Sequence, residues 1–118
     1  LFIIDYTQLE NKSVEIADQV IALLDTMTPD KTESFFLKDF LSAVNTAGGR
    51  IKAAGCNIGK TEVKNRLSAA LDDVCKAMYC LEMFNKLVAV DISRYQQLYH
   101  SYDELADMLA LGINEMTD

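Results

Sequence analysis

The residues with the most chemical promise lie in the run Gly55-Cys56-Asn57-Ile58-Gly59-Lys60-Thr61, which ends in the Gly-Lys-Thr triplet of a phosphate-cradling loop. Such a loop needs four residues between its glycines and a preceding β-strand, so that successive backbone N–H groups can curl around the phosphates. Here three residues separate Gly55 from Gly59, Ala54 stands where the first glycine should be, and the preceding segment has helical periodicity. The run reads as a turn between helices. Metal chemistry is equally poorly provided for. His100 is the single histidine, Cys56, Cys75 and Cys80 contain no Cys-x-x-Cys pair, and no Glu-x-x-His occurs, which excludes the usual zinc and di-iron signatures. No metal or other cofactor is expected.

Three cysteines are an odd number and argue against a disulfide framework, so all three read as reduced thiols. Cys75 and Cys80 fall within an apolar helical pattern and are expected to pack as small hydrophobes. His100 with Glu104 one turn later reads as a surface pair. The neighbouring acids Asp72-Asp73 and Asp103-Glu104 should diverge to different helix faces, with Asp72 and Lys76 at the spacing of a solvated pair. Acid–base and nucleophilic catalysis therefore lack visible residues, and no enzymatic activity is expected.

Charge is the feature that stands out. Residues 38–66 hold Lys38, Arg50, Lys52, Lys60, Lys64 and Arg66 against Asp39 and Glu62, a net +4, which leaves −11 on the rest of a chain whose total is −7. Arg50, Lys52, Lys60, Lys64 and Arg66 flank the turn between two helices. They are therefore expected to gather at one end of the molecule as a surface for RNA or an acidic protein partner.

Four helices must position these groups. The 118 residues are half apolar and one quarter charged, with one proline and five glycines, too few for a turn-rich β-sandwich. Apolar residues recur in steps of three, four or their sum, seven: Leu9, Ile16, Val20, Leu23 and Met27; then Leu37, Phe40, Val44, Ala47, Ile51 and Ala54; then Val63, Leu67, Ala70, Val74, Ala77, Leu81 and Phe84; then Tyr95, Leu98, Tyr102, Leu105, Leu109 and Met116. The pattern predicts an all-α, single-domain, up-down-up-down four-helix bundle with helices at about 7–27, 31–55, 60–87 and 92–116. Thr7 with Glu10 and Asp30 with Glu33 have capping-box spacing, Asp91 can cap the last helix, and Gly59 with Glu62 makes a weaker start. Small residues on the second and third helices should allow close axial approach, which also accounts for the costly Gly48-Gly49 pair. Val14, Ala17, Ile21 and Leu24, Phe35 and Phe36, and Leu71 and Met78 lie off the seams, and part of this surplus is expected to face another subunit.

No apolar run approaches the roughly 20 residues needed to span a bilayer, and Leu1-Phe2-Ile3-Ile4 lacks the basic flank of a signal peptide. A cytoplasmic protein with no membrane partner is expected, although a start at Leu1 suggests trimming.

From about Phe36 to Ile113 the chain resembles the four-helix bundle family named for proteins encoded in intervening sequences of bacterial 23S ribosomal RNA genes. The likeness lies in Leu37-Lys38-Asp39-Phe40-Leu41 continuing through Asn45-Thr46-Ala47-Gly48-Gly49, in Leu67-Ser68-Ala69-Ala70-Leu71, and in Tyr79-Cys80-Leu81-Glu82-Met83-Phe84. The resemblance implies a ring-like homo-oligomer, a pentamer, with no enzymatic role. A related branch, the accessory variability determinant proteins of diversity-generating retroelements, implies an alternative in which the chain binds a reverse transcriptase and its RNA. A small-ligand or metal-dependent bundle enzyme is the third reading, and it requires a polar pocket among the helices.

Overall fold

The computed structural model describes residues 6–27, 31–56, 59–87 and 90–116, with backbone alone for 31–35. Four helices account for nearly all of them: α1 Tyr6–Leu24, α2 Lys31–Ala54, α3 Lys60–Leu87 and α4 Ile92–Glu115. The molecule measures 47 × 23 × 19 Å, and a helix of α3's length spans about 42 Å at 1.5 Å per residue, so the long dimension is one helix. Helices adjacent in the chain pack together, α1 closes the ring against α4, and the backbones of the diagonal pairs stay apart among the described residues. Cross-links show neighbours running antiparallel: a Cβ at Gly48 would lie near Ser13 and one at Gly55 near Tyr6, while Phe40 meets Phe84 edge to face at 5.9 Å. This is the expected up-down-up-down bundle.

The core is the set of apolar seams. Every expected seam residue of α1 and α3 is buried, and so are Phe40, Ala47, Ile51 and Ala54 of α2 and Leu98, Tyr102, Leu105 and Leu109 of α4. Leu37, Val44, Tyr95 and Met116 are half-buried at its margin. The α2–α3 interface is the most extensive, because Ala43, Ala47, Ala54, Ala70 and Ala77 are all buried and let the two axes approach. The α1–α2 interface is the thinnest, and that looseness shapes the surface described below.

Several local expectations change. Helix α1 already includes Tyr6, so Thr7 is helical and its capping box does not form; Glu10 reaches Lys52 on α2 instead. The helix also ends at Leu24 and not near Met27, where Thr26 folds back to donate both its N–H and its hydroxyl to the Leu23 carbonyl. The pairing of Asp30 with Glu33 lies outside the described side chains. Asp91 caps α4 as expected, accepting from the Arg94 N–H at 3.0 Å. Cys75 is exposed while Cys80 is buried, since Cys75 follows the seam residue Val74 and a one-residue step on a helix is a rotation of 100°. Burial, with help from Asp39, pushes the Cys80 thiol up from its ordinary value. Gly48 is the packing glycine, facing Ser13, whereas Gly49 faces open space in an unbroken helix.

Candidate functional site

Arg50 and Lys52 stand near the C-terminal end of α2, and Lys60, Lys64 and Arg66 occupy the first two turns of α3. The turn through Gly55 brings these segments to one end of the bundle, where the N–H of Gly55 donates to the Ile51 and Lys52 carbonyls and α2 stops. Their charges are not left as an open field. Arg50 donates to Asp73 of α3, Lys52 lies 3.5 Å from Glu10 of α1, and Arg66 lies 3.5 Å from Glu62 one turn earlier. Asp72 is exposed while Asp73 is turned toward α2, which is the divergence expected of adjacent acids. Lys60 and Lys64 line a cavity of about 280 Å³ with Thr61, Asn65 and Met116, between the start of α3 and the end of α4.

A larger electrostatic pattern runs along the helices. Helix α1 carries Glu10, Glu15 and Asp18 against Lys12, and α4 carries Asp103, Glu104, Asp107 and Glu115 against Arg94, so the two nets of −2 and −3 make −5. Among the described side chains, helix α2 carries Lys38, Arg50 and Lys52 against Asp39, and α3 carries five bases against Glu62, Asp72, Asp73 and Glu82, so +2 and +1 make +3. Because α1 packs on α4 and α2 on α3, one long side of the bundle is acidic and the opposite side basic. Within the acidic side Lys12 is shared between Glu15 and Glu104 at 3.2 and 3.3 Å. Burial alone would lower its pKa, yet the two carboxylates outweigh that and raise it. His100 sits 3.6 Å from Glu104 on the exposed face, as its spacing implied.

Beside these charges lie large apolar side chains in solvent. Val14 and Ile21, seven residues apart on one face of α1, are 61% and 59% exposed, and Leu111 on α4 is comparably open. Tyr79, Leu87 and Ile92 are exposed at α3 and the start of α4. The off-seam periodicity of α1 had pointed to Val14 and Ile21, whereas no period marks the other four.

The thin α1–α2 interface opens into a cleft of about 230 Å³ lined by residues of α1, α2 and α4, among them Ser13, Asn45, Gly48, Gly49 and Tyr102. The Tyr102 hydroxyl is buried without a hydrogen-bond partner, and burial pushes its pKa well up from 10.0. Among the described residues no three His, Cys, Asp or Glu side chains gather as metal ligands, and no described helix is long and apolar enough to cross a membrane.

No protein-family model matches the sequence, and no curated protein matches it either. Among solved structures, a protein of unknown function from the S23 ribosomal protein family of Bacteroides thetaiotaomicron superposes with a TM-score of 0.81 at 20% identity, over 92% of this chain and 97% of that one. That likeness is one of fold, and it extends through all four helices: the chain folds as an S23-family four-helix bundle does.

Proposed function

We infer that the protein is a non-catalytic scaffold whose copies assemble with one another, the acidic α1/α4 side of one copy against the basic α2/α3 side of the next. The division of −5 and +3 between opposite long sides carries this reading. Unlike surfaces on opposite sides make a head-to-tail contact, which closes into a ring when the rotation per copy allows it. A ring of five copies, as the family resemblance implies, is the form proposed, acting in the cytoplasm. Exposed Val14, Ile21 and Tyr79 supply apolar area beside the charges, which matters because exposed ion pairs alone contribute only about 0–1 kcal/mol each.

Charge reversal tests it. Asp18→Lys with Asp107→Lys alters two exposed acids on the acidic side and should leave helicity unchanged while reducing the assembled mass. An unchanged mass would reject this interface.

A second reading, an accessory that binds RNA and a reverse transcriptase, is favoured by the cavity that Lys60 and Lys64 line at the basic end. It predicts RNA affinity that falls steeply with salt and is lost when Arg50, Lys60 and Lys64 are replaced by glutamate. RNA binding that survives those replacements would exclude this surface.

A further inference from the structure

We propose that the cleft between α1, α2 and α4 is a binding site for a small, uncharged ring compound that carries one hydrogen-bond acceptor. Two independent observations meet there. One is space: small side chains on α2 hold its wall back, and the resulting 230 Å³ exceeds the roughly 150 Å³ of an engineered apolar cavity that takes up benzene. A second hollow of about 150 Å³ continues it along the α1–α2 groove, sharing Ser13 and Gly48. The other is an unmet donor: Tyr102 lines the cleft, is 1% exposed, and its hydroxyl has no partner. A desolvated hydroxyl left unpaired is destabilising, so a molecule that accepts from it gains what the empty cleft lacks.

The lining sets the ligand class. No charged side chain borders the main cleft, which disfavours an ion, while Ile16, Val44 and Leu105 present apolar walls. Ser13 and Asn45 add polarity. A six-membered ring with a carbonyl oxygen matches this chemistry, the Tyr102 hydroxyl donating to the oxygen. Assembly of copies is not assumed.

The probe is acetophenone, compared with α-methylstyrene, in which a methylene replaces the oxygen. Titration of the whole chain, followed by amide NMR shifts, should show saturable changes centred on Ser13, Asn45, Gly48 and Gly49 in the millimolar range. Tyr102→Phe should weaken acetophenone about 2- to 10-fold, the equivalent of one ordinary hydrogen bond, and leave α-methylstyrene unaffected. Gly49→Leu puts bulk where a Cβ meets nothing within 4 Å, so it should fold and weaken both probes. Shifts that are absent or scattered over the surface, or equal acetophenone affinity for Tyr102→Phe, would overturn the site.

Discussion

Replacing Gly49 with alanine should stabilise the protein more than the same change at Gly48, although the two glycines are adjacent in one helix. A mid-helix glycine costs about 0.5–1 kcal/mol relative to alanine, because more backbone freedom is lost on folding. A Cβ at position 49 meets nothing within 4 Å, so that amount should be recovered in full. With an unfolding entropy of about 2.1 cal/mol/K per residue, the chain loses roughly 0.25 kcal/mol per degree near its midpoint, and the gain is a rise of about 2–4 °C. At position 48 the Cβ would lie 3.3 Å from Ser13 Oγ. The hydroxyl must turn away, so the gain should be smaller, and Ser13→Ala with Gly48→Ala should restore it. Urea titrations at constant slope and thermal melts read the order directly. A destabilised Gly49→Ala, or Gly48→Ala as the better variant, would mean that position 49 is not open as described.

Alkaline pH should destabilise the fold through Tyr102. Its folded pKa is raised above 10.0 by burial, so the folded state keeps a proton that the unfolded chain releases; the contribution is whole below pH 10 and declines as pH rises beyond it, by up to about 1.4 kcal/mol per unit. Denaturation midpoints against pH should show this decline, and Tyr102→Phe should remove its share. Thiol titration of the native protein should find Cys56 and Cys75 reacting quickly and Cys80 only on unfolding, given their exposure; rapid reaction of all three would contradict the packing of α3. Phe40→Ala should cost about 3–5 kcal/mol, and a double-mutant cycle with Phe84→Ala should return a coupling of about 0.5–1.5 kcal/mol for the edge-to-face pair. A coupling of zero would remove that contact.

The helices were legible in the sequence because burial imposes a period that single residues can be checked against. Val63, Leu67, Ala70, Val74, Ala77, Leu81 and Phe84 lie in steps of three and four and all are buried. Helix ends were less so: Asp91 caps α4 as its chemistry suggests, but Tyr6 packs against the core and carries α1 past the apparent cap at Thr7. The cations clustered near the α2–α3 turn were visible as a net charge, while their partners were not. Glu10 and Asp73 are 42 residues from Lys52 and 23 from Arg50, and only the register of antiparallel helices brings them together. The same holds for the two charged sides, since helix adjacency must be known before charges can be assigned to a side. The Tyr102 hydroxyl was hidden in a different way. Its position on the α4 seam announces a buried ring, and nothing in the spacing says whether a partner reaches the oxygen.

Self-assembly through unlike sides is the claim on which the proposed role rests, and light scattering of the intact chain across a salt series tests it most directly. A mass several times 13.2 kDa is expected at low salt, declining as salt screens the charged faces. A mass of one chain at every salt and protein concentration would contradict it.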